Sequence, residues 1–158
     1  MEHFYPKSLY TERTFEWENL LYCCKQRNNK KLNHDTYQFP IVNPYDDDPD
    51  DYFTYMDIMI KSKNNSLHEI ADRTIRVCGL TSYRLISARS KILVNFRIFE
   101  QDLSGALDEF RGARTERNKE DRARKIITSL DTIESMAKPN AKLSHFYNFL
   151  LNSSKVYR

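Results

Sequence analysis

The sequence predicts an all-α protein, a single-domain helical bundle of five or six helices around a long central helix at about residues 82–111. This long segment contains no proline. From Ile92 onward its apolar residues recur in steps of four, three, four, three and four, which is helical and close to heptad spacing. Only three of the 158 residues are glycine, whereas tight hairpins need glycine where φ is positive. The length is that of one domain.

Shorter helices are predicted on both sides of the long one. Thr11 is a suitable N-cap for the first of them, and Ser66 with Glu69 has the spacing of a capping box for another that ends at Gly79. Beside 82–111, helices are predicted at 12–28, 52–63, 66–78 and 140–154. One more is predicted in the segment that starts with the basic run after Gly112 and ends at 137. Because 52–63 is rich in β-formers, a strand remains the alternative there. The tail at 153–158 is expected to fray.

Residues 33–51 are predicted to form an irregular acidic loop. Pro40, Pro44 and Pro49 exclude a long helix, and five of the six positions 46–51 are aspartate. A hard cation such as Ca²⁺ binds carboxylates, but the alternating ligand spacing and the glycine of a calcium loop are missing. We therefore expect a solvated loop that caps a helix, with no metal site. The residues predicted to contact a basic protein partner are Asp46, Asp47, Asp48, Asp50 and Asp51.

Charge is distributed unevenly along the chain. No Lys or Arg lies between Leu32 and Ile60, where seven aspartates occur; since the whole chain carries +3, the remainder carries +10. Residues 111–125 hold seven basic and three acidic side chains. This basic run either contacts phosphates or forms a solvated face laced with ion pairs such as Glu120 with Arg124. The candidate nucleic-acid-binding residues are Arg84, Arg89, Lys91, Arg111, Arg114, Arg117, Arg122, Arg124 and Lys125.

Residues 79–91 supply a second reason to consider nucleic acid. The segment GLTSYRLISAR resembles the turn and recognition helix of helix-turn-helix DNA-binding proteins, with Gly79 as the turn glycine and Leu80 and Leu85 as apolar anchors. The resemblance implies that Ser82, Tyr83, Arg84, Ser87 and Arg89 face the major groove. The predicted second helix is longer than the recognition helix of that family. An ordinary helical hairpin with a glycine cap is the alternative.

No pattern in the chain predicts catalysis or a cofactor. The four histidines are scattered, and none has a neighbour at metal-ligand spacing. The cysteines Cys23, Cys24 and Cys78 are odd in number and form no disulfide framework. The N-terminus lacks the apolar run of a signal peptide, and no segment reaches about 18 apolar residues. We expect an intracellular protein, cytoplasmic or nuclear, without enzymatic activity.

The function that these features favour is an adaptor or assembly protein that acts through protein–protein contacts. Its low glycine and high asparagine and tyrosine content suits a viral or phage accessory protein. The heptad spacing of the long helix also suggests a homodimer. The alternative function is a DNA- or RNA-binding accessory or regulatory protein that uses 79–91 and 111–125.

Overall fold

The computed structural model describes residues 1–23, 30–138, 141 and 143–157. These residues form five α-helices and two small antiparallel sheets of two strands each. The helices are α1 (Pro49–Tyr52), α2 (His68–Val77), α3 (Tyr83–Arg111), α4 (Glu116–Ala137) and α5 (Ser144–Ser153). The strands are β1 (Glu2–His3), β2 (Leu20–Leu21), β3 (Phe53–Met56) and β4 (Met59–Ser62). The prediction of an all-α protein is therefore wrong, because the fold is mostly helical but mixed α/β.

The chain divides into two compact units, Met1–Ile86 and Ser87–Arg158. Both sheets and the helices α1 and α2 belong to the first unit, and α4 and α5 belong to the second. Helix α3 begins in the first unit and continues through the second. The organisation as a single domain stays a prediction.

A hairpin replaces the helix that was favoured at 52–63. Strands β3 and β4 pair from Phe53 with Ser62 to Met56 with Met59, and Asp57 has a positive φ of 52° in the turn. Aspartate tolerates that left-handed conformation better than most residues do. In this register Tyr55 lies opposite Ile60, and Ile60 is buried. The strand alternative is thus correct for this segment.

The core of the first unit lies between this hairpin and α2. Its members are all apolar or aromatic: Val42, Tyr52, Phe53, Ile60, Ala71 and Ile75. Helix α2 ends with Gly79 at a φ of +60°, and the amide of Leu80 donates to the carbonyl of Ile75, as in a Schellman cap. A Cβ at Gly79 would come within 2.5 Å of the Lys30 side chain. The predicted glycine cap is confirmed, although α2 begins at His68 without a capping bond from Ser66.

The predicted first helix at 12–28 is wrong for the residues that the structure describes. Short 3-10 turns occupy Thr11–Arg13 and Trp17–Asn19, and β2 then pairs with β1. Trp17 is 74% exposed, so the apolar period of this segment does not face a core. Residues 24–28 of the predicted helix lie outside the described part of the chain.

The long helix predicted at 82–111 is confirmed as α3, which begins one residue later. Arg89, Phe96 and Leu103, seven residues apart, are its buried positions. Val94 is 55% exposed and Ile98 is 52% exposed, so these two apolar residues face solvent. The long helix is therefore buried along one stripe rather than around most of its surface.

In the second unit, α4 and α5 pack against each other. Thr115 caps α4 by accepting from the amide of Asn118 at 3.3 Å, and α4 ends before Pro139, which disfavours helix in its predecessor. The described residues of the tail, 153–157, contact the rest of the second unit. Ser154 is buried, and the hydroxyl of Tyr157 donates to Glu134 at 2.6 Å. The frayed tail at 153–158 stays a prediction.

Candidate functional site

Some carboxylates of the acidic loop accept hydrogen bonds from within the loop itself. Asp46 accepts from the side-chain amide of Asn43 at 2.5 Å, and Asp47 accepts from the Asn43 backbone amide at 2.6 Å. Asp48 accepts from the amide of Asp50 at 2.9 Å and so caps α1. An aspartate of the run thus caps a helix, but that helix begins at Pro49, inside the segment 33–51 that was predicted to be irregular.

Four of the five predicted contact residues of this loop present carboxylates to solvent. Asp46, Asp48, Asp50 and Asp51 are exposed, whereas Asp47 is half-buried. Within the described residues no group of three or more His, Cys, Asp or Glu side chains is placed to hold a metal ion. The loop thus offers a negative surface to a cationic partner, and its role as a protein contact stays a prediction.

Asp47 also fixes the phenol of Tyr52. The hydroxyl of Tyr52 donates to Asp47 Oδ1 at 2.8 Å, and this bond, together with burial, raises the pKa of Tyr52 to about 12. The folded pKa lies above the ordinary value of 10.0, so the neutral phenol is the form that the fold favours. The stabilisation from this bond is complete below pH 10 and is lost as the pH rises to 12.

We expect Tyr52→Phe to remove one phenol that titrates near pH 12. The difference between the ultraviolet titration curves of the wild-type and variant proteins isolates that group. Below pH 10 the variant is less stable than the wild type, and the gap narrows between pH 10 and 12. If the difference curve shows that the wild-type Tyr52 phenol titrates near pH 10, the bond to Asp47 does not form.

The segment with the helix-turn-helix resemblance does form two helices joined by a glycine turn. Tyr83 and Arg84, in the first turn of α3, are exposed, and Ser87 is half-buried. Arg89 is only 3% exposed, so its guanidinium offers no accessible charge to a phosphate. Two helices joined by a turn are common to the helical hairpin and to the DNA-binding motif, so groove recognition stays a prediction.

The other basic candidates belong to the second unit and lie at its surface. Lys91, Arg111, Arg114, Arg117, Arg124 and Lys125 are exposed, and Arg122 is half-buried. Ion pairs join Arg111 to Asp108 at 3.3 Å, Arg122 to Glu109 at 3.8 Å and Arg124 to Asp121 at 3.9 Å. Exposed pairs of this kind contribute little to stability and can exchange partners. The run therefore combines paired and accessible cations.

An open cavity of about 700 Å³ lies along the same part of α4. Its lining residues are Asp121, Arg124, Lys125, Thr128 and Ser129. The hydroxyls of Thr128 and Ser129 donate back to the carbonyls of Arg124 and Lys125, both at 3.0 Å. Their protons are therefore used within the helix, so the charges that the groove offers to an anionic group are those of Arg124 and Lys125, and Asp121 partly offsets them.

Sequence reasoning missed a buried polar cluster beneath β1. Lys31 donates to the carbonyl of His3 at 2.9 Å and lies 3.6 Å from the carboxylate of Glu2, and both charged side chains are buried. Burial lowers the pKa of Lys31, and the attraction of Glu2 partly opposes that effect. Thr36 donates to the carbonyl of Phe4 at 2.9 Å. No sequence pattern marks these residues, because tertiary contacts alone bring them together.

The described structure thus defines a mostly helical α/β protein with an exposed acidic loop in one unit and an exposed basic run in the other. Comparison with known proteins finds a similar segment in the Septu protein PtuB of Bacillus thuringiensis, 39% identical over 64 residues. That segment is 40% of this chain and 25% of the relative, so the match spans about a quarter of PtuB. No family model and no solved structure matches the chain. None of the helices in the described residues is long and apolar enough to cross a membrane.

Proposed function

We propose that this chain is an accessory protein of a bacterial anti-phage system of the Septu type and that it acts there through protein–protein contacts. The observation that carries the proposal is the partial similarity to PtuB. The expected viral or phage accessory protein would belong to the virus, whereas this proposal assigns the chain to the bacterium. We further propose that the chain works in the cytoplasm and catalyses no reaction.

The surface proposed for the partner is the acidic loop. Its exposed carboxylates would meet Lys and Arg side chains, which steers encounter and suppresses partners of the wrong charge. Asp48 caps α1, so its reversal would change the fold of the loop. Asp46 and Asp51 are exposed at the two ends of the run, and Asp46 uses one carboxylate oxygen on the Asn43 side chain. These two residues are the ones to reverse in a test.

Affinity capture of the tagged chain from its native host tests this proposal. We expect a protein partner that stays bound after nuclease treatment and is lost from Asp46→Lys/Asp51→Lys. The control variant Glu12→Lys/Glu18→Lys makes the same charge change at exposed positions elsewhere in the first unit and keeps the partner. Equal retention by both variants would contradict the acidic surface. Failure to retain any protein would contradict the proposed function.

The exposed cations around the groove on α4 favour a second candidate function, a contact with DNA or RNA. Lys and Arg side chains bind phosphates without reading sequence, and the affinity then falls with salt because counterions are released. Such a contact is compatible with an accessory role.

We expect gel-shift affinity to fall steeply with salt for the wild-type chain. In Arg114→Glu/Arg117→Glu/Arg124→Glu the slope of the logarithm of affinity against that of salt should shrink by about 2–3, at about 0.7–0.9 per lost phosphate contact. The control Lys7→Glu/Lys61→Glu/Lys155→Glu makes the same charge change at exposed positions and keeps the slope.

The same gels test the absence of enzymatic activity. The nucleic acid should remain intact with Mg²⁺ and with EDTA. Fragments that appear with Mg²⁺ alone would contradict the proposal of a non-enzymatic protein. Equal binding by both triple variants would contradict the assignment of the contact to the basic run.

A further inference from the structure

The side of α3 that lies opposite its buried stripe carries a second heptad pattern. Its positions follow steps of three, four, three, four and three, and all are exposed in the second unit: Lys91, Val94, Ile98, Gln101, Gly105 and Asp108. At 3.6 residues per turn these six side chains form one narrow stripe about 25 Å long. We call this stripe the outer seam.

The four middle positions of the outer seam are two apolar residues, a glutamine and a glycine. Val94 and Ile98 are more than half exposed, one helical turn apart. A Cβ added at Gly105 would have no neighbouring atom within 4 Å. A glycine in a helix interior costs about 1 kcal/mol relative to alanine. Since no close contact within the described chain requires Gly105, a second helix that approaches it would supply the reason.

The order of residues along the outer seam identifies that second helix. The six residues form three pairs, and in each pair the two residue numbers add up to 199. The pairs are Lys91 with Asp108, Val94 with Gly105, and Ile98 with Gln101. Two copies of α3 that run in opposite directions therefore place the cation of each copy beside the carboxylate of the other. They also place each Val94 over the glycine of the other copy. Antiparallel coiled coils pair their two seam positions in this crossed way, whereas a parallel pair would oppose like charges.

We propose that a second copy of this chain packs antiparallel on the outer seam of α3 and forms a symmetric dimer. This surface differs from the heptad seam predicted from Ile92 and Phe96, which is buried or half-buried within the chain. Asp108 contacts Arg111 at 3.3 Å, but both side chains are exposed, so that carboxylate is free to exchange partners. The inference goes beyond the proposed function, because it concerns association of the chain with itself.

Sedimentation velocity over a wide range of protein concentration tests the dimer. The wild-type chain should associate as concentration rises. Ile98→Asp should raise the dissociation constant about tenfold or more, since it removes an apolar side chain from each copy and places two carboxylates at the centre of the dimer. Ile98 is exposed, so this substitution leaves the fold of the single chain intact, which circular dichroism checks. Ile127→Asp is the matched control, because it makes the same substitution at an exposed isoleucine of α4 outside the seam.

A charge swap tests the direction of the helices. Lys91→Asp alone opposes two pairs of carboxylates and should weaken the dimer about tenfold. Adding Asp108→Lys to the same chain restores opposite charges only if the copies are antiparallel. Recovery of the wild-type dissociation constant supports the proposal, and failure to recover overturns the antiparallel register.

Gly105→Ala should change the stability of the single chain and the affinity of the dimer in opposite directions. The substitution should stabilise the single chain, because alanine favours helix, and should weaken the dimer, because a methyl group meets Val94 of the second copy. A wild-type chain that remains monomeric at every concentration would overturn the proposal. So would an association that is unchanged in Ile98→Asp and Gly105→Ala.

Discussion

Replacement of Asn19 by alanine is expected to lower the free energy of unfolding by about 3–4 kcal/mol, because buried backbone groups lose their partners. The Asn19 side chain is 2% exposed. Its oxygen accepts from the amide of Tyr5 at 2.6 Å, and its nitrogen donates to the carbonyl of Arg13 at 2.8 Å and to that of Tyr5 at 3.3 Å. One side chain thus joins the segment after β1 to the first 3-10 turn.

Urea unfolding measures this loss. Asn64 is exposed, and Asn64→Ala should stay within about 0.5 kcal/mol of the wild type. Asn19→Asp keeps an acceptor for Tyr5 but removes the donor and buries a charge, so we expect it to be destabilising too. A loss below about 1 kcal/mol in Asn19→Ala would mean that water satisfies the exposed amide and carbonyls.

The same residue explains why the N-terminal fold was not predicted from the sequence. Trp17, Leu20 and Leu21 have helical spacing, which is the strongest local signal available. The contacts of Asn19 with Tyr5 and Arg13 are tertiary, and they favour two short turns and a strand over one helix. Asparagine competes in this way because its side chain satisfies backbone groups outside regular helix.

The hairpin was ambiguous for a different reason. Residues 53–62 contain β-formers, but they also contain methionines at helical spacing, and period alone does not separate the two in so short a run. The pairing of Tyr55 with Ile60 over the core of the first unit decides the outcome. By contrast, α3 extends through 29 residues, and its repeated period outweighs local alternatives.

Charge positions were predictable from the sequence, but burial was not. Most of the basic run is exposed, as a solvated face would be. Arg89 is the exception, since it lies seven residues before Phe96 and fourteen before Leu103 and therefore falls on the buried stripe of α3. Once the structure shows which stripe of α3 is buried, the heptad position of Arg89 excludes it from the candidate site. The outer seam could likewise be recognised only after the structure showed which stripe of α3 is buried.

Replacement of Phe146 by alanine is expected to lower the free energy of unfolding by about 3–5 kcal/mol, because it opens a cavity in the second unit. The ring is 0% exposed, and its centroid lies 6.4 Å from that of Phe149 in a stacked arrangement. Phe146→Leu retains most of the volume and should cost less. His145→Ala, at the half-buried neighbouring position, is the comparison for a change in α5 outside the core.

Native-state hydrogen exchange on Phe146→Ala also tests the single-domain prediction. Ala71 is buried in the first unit, and Leu150 is buried in the second. If both units unfold in one cooperative step, the loss of protection is the same at both amides. A loss confined to Leu150 would show that the units unfold separately, since a cavity in one domain does not weaken the core of another. The reciprocal measurement on Asn19→Ala should then affect Ala71 alone.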